Sequence, residues 1–205
     1  MKERLARIGE ATPEEKERMR DSTLLDSLLS KFYKDELSPE GLWGKLKEYR
    51  DKGKNYLLKE AQLRLIDSIG IGSAPMEFQK RRNAALAAES LKEDQNTATL
   101  ELGLNSVEVL QGRYKDEMQQ AYNDLKAQVE RNPQLRMQQV KQGQATIVIQ
   151  LSVDEAVKAS SEWKNFISYH EKRYSQEFAK VVEKLRGEVK RFRNVVAQLT
   201  RNTKC

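Results

Sequence analysis

The side chains that could carry out acid–base, nucleophilic or metal-dependent chemistry are few in this sequence. His170 is the only histidine, and Cys205, the last residue, is the only cysteine. A metal site needs several such ligands, and a nucleophile needs a base beside it. The sequence also contains no HExxH, no glycine-rich phosphate-binding loop and no G-x-S-x-G. We therefore expect neither enzymatic activity nor a bound metal or cofactor.

The residues that remain fit helix packing or exposed helix faces better than catalysis. His170 lies between Ile167 and Tyr174 in a row of apolar residues at helical spacing, which is typical of a histidine packed in a core. Acidic pairs such as Asp116-Glu117 lie in charged segments, and acid–base work would need a pocket that shifts their pKa. The segment Gly70-Ile71-Gly72 lacks the third glycine of a nucleotide-binding loop, so we expect a connection there.

The composition favours helices with large exposed faces. Hydrophobic residues make up 38% of the 205 residues and charged residues 33%, which is too polar for a thick multilayer core. A single cysteine cannot form an intrachain disulfide and fits a reducing compartment. No apolar run is long enough for a transmembrane helix, and the N-terminal segment lacks the apolar centre of a signal peptide. We expect a cytoplasmic protein, either free in solution or attached peripherally to a membrane.

The basic charge is concentrated at the C-terminal end. Residues 164–205 contain 11 Lys and Arg and 4 Glu, a net charge of +7, whereas residues 1–163 have a net charge of −1. Such a segment can attract nucleic acid or anionic lipid. The alternative is that these side chains form the solvated face of a charged helix.

Helix-breaking residues divide the chain into three predicted parts. Breaks are expected at Ser38-Pro39, at residues 70–75 and at Asn132-Pro133, where proline or glycine interrupts the apolar periodicity. The predicted fold is mainly α: a single elongated domain over 1–205, built as an antiparallel, coiled-coil-like bundle of long helices. Its parts are an N-terminal helical segment at 1–37, central helices at 38–131 and a long C-terminal helix at 134–200.

The C-terminal part carries the clearest apolar stripe, with steps of three and four residues over many turns. A stripe of this length needs a long partner, and the short helices before Gly70 cannot cover it. We therefore predict a homodimer. The residues expected to form its interface are Trp163, Ile167, Tyr174, Phe178, Val181 and Leu185.

Two segments do not fit a purely helical chain. Residues 98–105 align without gaps on residues 145–152, and both show the apolar alternation of strands. One interpretation is a small two-stranded β element that pairs 97–104 with 145–152. The other is that both segments belong to long helices, and burial of Ile149 on the apolar stripe favours this second interpretation for 145–152.

The stretch from Tyr169 to Val181, YHEKRYSQEFAKV, resembles the final helix of BAR domains, especially those of the sorting-nexin type. In that helix a charged aromatic-Glu-Lys-Arg segment precedes an acidic-Phe pair and a lysine. The resemblance covers the chain well from Trp163 onward. It implies a three-helix antiparallel coiled coil that dimerises into a curved rod and lies on membranes through basic side chains.

The sequence therefore predicts a non-catalytic, self-associating helical scaffold with protein partners and with BAR-like binding to anionic membrane surfaces. The alternative is a structural component of a larger protein or ribonucleoprotein assembly, in which the basic C-terminal helix contacts nucleic-acid phosphates. The residues expected to bind anionic surfaces are Arg131, Arg136, Lys141, Lys184, Arg186, Lys190, Arg191 and Arg193.

Overall fold

The structure is a computed structural model that describes residues 12–142 and 145–191. This part of the chain is mainly helical and contains one two-stranded antiparallel sheet, which confirms the predicted fold class. The α-helices are α1 (Pro13–Tyr33), α2 (Pro39–Asp51), α3 (Asn55–Asp67), α4 (Pro75–Ser90), α5 (Thr97–Arg131), α6 (Val153–Ala159) and α7 (Ser161–Arg191). A 3-10 turn at Pro133–Arg136 precedes the strands β1 (Met137–Gln142) and β2 (Ala145–Gln150). None of the helices described combines the length and the apolarity needed to cross a membrane.

The starts of several helices follow directly from local sequence. Before α1, the Thr12 hydroxyl accepts a hydrogen bond from the Glu15 backbone N–H at 3.2 Å, and the Glu15 carboxylate accepts one from the Thr12 N–H at 2.7 Å. The same reciprocal arrangement joins Ser152 and Glu155 before α6. Each box satisfies backbone donors that a helix start otherwise leaves without a partner.

The partner of strand β2 is not the segment named in the strand-pair interpretation of the sequence. Strand β2 pairs with β1, in a register that places Val140 opposite Ile147, whereas residues 97–104 belong to α5. The predicted pairing of 97–104 with 145–152 is therefore wrong. In α5 the helical spacing buries both Leu100 and Leu104, and this burial outweighs the strand-like alternation.

The predicted long helix at 134–200 is also wrong in its first part. Residues 133–150 form the turn and the two strands, and the helical path resumes only at α6. A second break follows at Ser160, which has extended backbone angles (φ −61°, ψ 143°), and its hydroxyl accepts the Trp163 N–H to begin α7. Consecutive β-branched residues at 146–149 disfavour a helix through lost side-chain freedom, and the capping box at Ser152 starts a separate one. Residues 192–200 of the predicted helix lie outside the described residues.

The contacts group the chain into two units, which are described separately here. The first contains residues 12–70, 74–104 and 184–191 of the described chain. Its core lies among helices α1 to α4 and consists mainly of leucine and alanine side chains. The buried core residues are Leu25, Leu29, Phe32, Leu42, Leu46, Leu57, Leu58, Ala61, Leu65, Ala84, Ala85, Ala88 and Leu91. The predicted single elongated domain stays a prediction.

The second unit contains residues 71–73 and 105–183. Within it α5 and α7 are antiparallel, since Tyr122 of α5 contacts Trp163 near the start of α7 and Tyr114 contacts His170 further along. Its buried cluster comprises Leu125, Val129, Ala156, Val157 and Trp163. The two strands project from this unit between α5 and α6.

Candidate binding surface

The most distinctive surface is the segment 131–153, which we call the arm. It contains β1, β2 and the 3-10 turn before them. No aspartate or glutamate occurs in the arm, whereas Arg131, Arg136 and Lys141 give it three positive charges. Acidic residues border it directly, with Glu130 before and Asp154 after. The arm is therefore a purely basic segment with an acidic residue at each border.

Large apolar side chains of the arm are exposed to solvent. Val148 is 56% exposed, Leu135 54% and Met137 48%. Ile147, Ile149 and Val140 are also exposed, at 36–40%. Isolated exposed apolar residues are ordinary, but a contiguous group of them is typical of an interaction surface.

Both faces of the two-stranded sheet contribute to this exposure. Directly paired residues of antiparallel strands lie on the same face, so the register places Val140 and Ile147 on one face together with Ile149. The opposite face carries Met137 and Val148, accompanied by glutamine, lysine and threonine side chains. An apolar protein core covers neither face.

Two hydrogen bonds join the incoming and outgoing segments of the arm at its base. The Arg136 Nε donates to the Leu151 carbonyl at 2.8 Å, and the Leu151 N–H donates to the Arg136 carbonyl at 2.8 Å. The capping box at Ser152 then begins α6. The orientation of the strands at their base is therefore fixed, while the side chains further along the strands remain exposed.

A cleft of about 360 Å³ lies beside the base of the arm. Its walls are mainly apolar and include Leu125, Val129, Leu135, Met137, Leu151 and Ala156. The polar side chains at its edge include Ser160, but that hydroxyl already accepts the Trp163 N–H and donates to the Val157 carbonyl. Glu162 supplies the acidic side chain of the lining, and Gln128, Gln138 and Ser161 supply further polar groups.

The residues predicted to bind anionic surfaces fall into two groups. Arg131 and Lys141 are exposed in the arm, and Arg136 is half-buried by its bond to Leu151. The other group lies at the end of α7, in the first unit. Lys184 and Lys190 are exposed there, whereas Arg186 forms an ion pair of 2.6 Å with Asp67. Arg191 ends α7, and Arg193 lies outside the described residues.

The residues predicted to form the dimer interface are largely covered within the chain itself. Trp163, Tyr174 and Leu185 are buried, and Ile167, Phe178 and Val181 are half-buried. Helix α5 provides the long partner that the stripe requires, which the sequence interpretation did not identify. The length of the stripe therefore does not require a second chain, and dimerisation through these residues stays a prediction.

His170 is a buried core residue, as its position in the stripe predicted. It is 1% exposed, and its ring lies between Tyr114 and Phe166 at centroid distances of 5.0 and 4.9 Å. Its Nε2 is 3.1 Å from the Tyr114 carbonyl oxygen. Glu117 lies on the other side of the ring, near Nδ1. Its carboxylate accepts a hydrogen bond from the Tyr174 hydroxyl at 2.8 Å. This bond, followed by the bond from Arg173, lowers the pKa of the Glu117 carboxyl.

Two further polar clusters are buried in the first unit. Asp21 is 5% exposed and accepts two bonds from the Lys54 ammonium group, at 2.8 and 2.7 Å, and one from the Tyr56 hydroxyl. These bonds, with Lys54 first, lower the pKa of Asp21, and burial followed by the bond to Asp21 raises the pKa of Tyr56 to about 12. Gln62 and Glu89 form the second cluster, joined at 2.6 Å. The sequence interpretation missed both clusters, and the only signal was a polar residue in a core position of an amphipathic helix.

These clusters hold helices together and present no free reactive group to a ligand. Each buried carboxylate has its hydrogen-bond partners in place, which is how buried charges are normally tolerated. Among residues 12–142 and 145–191, no group of three His, Cys, Asp or Glu residues is placed to hold a metal ion. The arm is the strongest candidate for a functional surface.

Comparisons with known proteins assign no function to the chain. No curated protein and no solved structure matches the chain. A family profile described as a family of unknown function (DUF6657) matches residues 43–187, which is more than half of the chain and includes the whole arm. The chain belongs to this family of unknown function, DUF6657.

Proposed function

We propose that the protein is a non-catalytic helical scaffold that binds anionic membrane surfaces through its arm. The observation that supports this most directly is the combination, in one segment, of three basic residues, no acidic residue and six exposed large apolar side chains. The BAR-like expectation divided the membrane-binding charge between the residues near Asn132-Pro133 and the basic C-terminal end. The proposal keeps the first group, which lies in the arm.

The electrostatic contribution is set by the number of basic residues near the surface. Each lysine or arginine close to an anionic leaflet contributes about 1 kcal/mol, so three residues contribute about 3 kcal/mol. This attraction alone gives weak binding that decreases with salt. Burial of exposed apolar side chains at the headgroup boundary adds a contribution that salt does not screen.

The exposure of both faces favours a lipid surface over a folded protein partner. A protein that packs on one face of a two-stranded sheet leaves the apolar side chains of the other face in water. Lipid headgroups and the first acyl carbons can surround both faces. Shallow insertion is expected, because unpaired backbone groups at strand edges are too costly in the hydrocarbon region.

Sedimentation with vesicles tests this proposal. We expect the wild-type chain to bind phosphatidylcholine vesicles that contain phosphatidylserine and not to bind pure phosphatidylcholine. The variant Arg131→Glu/Lys141→Glu should lose this binding because both side chains are exposed in the arm. The matched control is Lys164→Glu/Lys172→Glu, which makes the same charge change at exposed positions of α7.

Two results would contradict the proposal. One is an absence of binding to phosphatidylserine vesicles at low salt, and the other is an equal loss of binding in the arm variant and in the control. A scaffold that senses curvature, as the BAR resemblance implies, should in addition bind small vesicles better than large ones. Equal binding at all vesicle diameters would contradict curvature sensing, whereas the proposed attachment to anionic lipid would still stand.

The exposed lysines at the end of α7 support a second candidate function. Lys184 and Lys190 lie on a segment of strong positive charge, as an assembly component that contacts nucleic-acid phosphates requires. Under this proposal, single-stranded RNA or duplex DNA binds at low salt. The variant Lys184→Glu/Lys190→Glu should then weaken nucleic-acid binding and leave vesicle binding unchanged, and no effect on either ligand would contradict it.

A further inference from the structure

The outer edge of β2 is a second distinctive feature of the arm. Strand β2 pairs with β1 on one side, and no strand of the described chain pairs with it on the other. In an antiparallel ladder every second residue of an edge strand directs its N–H and C=O away from its neighbour. Natural proteins usually protect such an edge with charge, proline or a bulge, because it can pair with another chain.

This edge has none of those forms of protection. From Gln142 to Val153 the sequence contains no charged residue and no proline. The strand itself includes four consecutive β-branched residues, Thr146 to Ile149, which is the composition that extended pairing favours. The neighbouring strand β1 differs, since it carries Lys141.

We propose that β2 pairs with β2 of a second copy of this chain, in an antiparallel arrangement that makes one four-stranded sheet. The copies are related by a two-fold axis perpendicular to the sheet, centred on Val148. Such an axis keeps each face of the sheet on the same side in both copies. It places Val148 opposite the same residue of the other copy, and Ile147 opposite Ile149.

This register joins the apolar faces of the two copies. Val140, Ile147 and Ile149 share one face of each two-stranded sheet, so the pairing brings six β-branched side chains onto one continuous face. A two-stranded sheet alone is marginally stable in water, and three or more strands with an apolar face are needed for independent stability. Pairing therefore stabilises the arm as well as the dimer.

Charge favours a second copy paired through β2. The uncharged strands meet in the centre, so no like charges face each other across the new pair. The two Lys141 residues lie on the outer strands, separated by at least three strand spacings or about 14 Å, which exceeds the screening length of about 8 Å at physiological salt. Pairing through the β1 edges would bring these lysines together.

The decisive variant is Val148→Lys in the full-length chain, because it places two positive charges at the centre of the pair. The side chain is 56% exposed, so the fold of a single copy accommodates it. The matched control is Gln139→Lys, which adds the same charge on the same face of β1, directly opposite Val148 within one copy. Sedimentation equilibrium measures the monomer–dimer constant, and circular dichroism checks the helix content.

We expect wild type and Gln139→Lys to dimerise equally and Val148→Lys to dimerise at least about tenfold more weakly. Thiol cross-linking gives a second measurement. In a Cys205→Ser background, Val148→Cys should be linked between copies by a short bifunctional thiol reagent, whereas Gln139→Cys should not.

A monomeric wild type at about 100 μM would overturn the inference, and so would a dimer that Val148→Lys leaves intact or weakens no more than the control does. A dimer that persists in Val148→Lys but dissociates in Phe178→Glu would assign self-association to the stripe of α7 instead. The inference adds self-association to the proposed function and does not depend on lipid. Loss of vesicle binding with an intact dimer would therefore defeat the membrane proposal alone.

Discussion

Gly103 of α5 packs closely against Leu185 of α7, and Gly103→Ala is predicted to destabilise the protein. A Cβ atom at this position would lie 2.2 Å from Cδ2 and 2.9 Å from Cγ of Leu185, a side chain that is 2% exposed. Carbon atoms in contact are normally about 3.5–4.0 Å apart. The leucine would have to move in a packed core to accept one added methyl group.

The magnitude is the balance of two effects. Overpacking of a core lowers the free energy of unfolding by about 1–3 kcal/mol. The higher helix propensity of alanine raises it by about 1 kcal/mol. The net loss of unfolding free energy in Gly103→Ala is therefore about 0–2 kcal/mol. The matched control is Gly187→Ala in the same unit, where a Cβ atom would meet nothing within 4 Å. This control should gain about 0.4–1 kcal/mol.

Urea denaturation followed by circular dichroism measures both variants. The two free energies of unfolding should differ by about 0.4–3 kcal/mol, with the control more stable. A double-mutant cycle with Leu185→Ala tests whether the contact between Gly103 and Leu185 causes this difference. The smaller alanine side chain leaves room for the added methyl group, so most of the destabilisation by Gly103→Ala should disappear in the Leu185→Ala background. If Gly103→Ala stabilised the protein as much as Gly187→Ala does, the packing of Leu185 against α5 would be refuted.

Three further predictions concern buried or capping polar groups. Asp21→Asn should lower the free energy of unfolding by about 1–3 kcal/mol, because Lys54 loses its buried partner. Folding lowers the pKa of Asp21, so the stability that this carboxylate contributes is present above its ordinary pKa and is lost as the pH falls below that value. Wild type and variant should therefore converge in stability on acidification. Ser152→Ala should cost about 1 kcal/mol by removing the cap of α6, and unchanged amide exchange at the start of that helix would contradict this. Tyr174→Phe removes the hydroxyl that lowers the pKa of Glu117, so NMR titration should show the pKa of that carboxyl rising, and an unchanged value would refute the assigned bond.

Local sequence could predict where helices begin and end. The predicted break at Asn132-Pro133 acts within a few residues, and the structure confirms it. The capping boxes at Thr12 and Ser152 are equally local. The strand partner could not be predicted in this way. Strand β1 reads Met-Gln-Gln-Val-Lys-Gln, which has little strand propensity of its own and is ordered by its neighbour β2.

The candidate surface overlaps the residues that the sequence predicts to bind anions. Arg131, Arg136 and Lys141 all belong to the arm, and their binding role stays a prediction. The exposed apolar residues were missed because helical spacing assigned Ile149 to a buried stripe, whereas it is 37% exposed in β2. Spacing identifies a face but does not show whether a partner element covers it, and that depends on tertiary contacts.

The position of the arm between α5 and α7 also shapes how the second unit folds. The contacts across the chain reversal grow steadily in sequence separation, from 15 residues for Arg136 with Leu151, to 32 for Tyr122 with Asp154, and to 56 for Tyr114 with His170. Once the strands have paired, each later contact closes only a short additional loop, and the entropy cost of closure grows slowly with loop length. The long helices can therefore join progressively from the arm outward. Closing the arm first would therefore lower the entropy cost of docking α5 on α7, two helices that are distant in sequence.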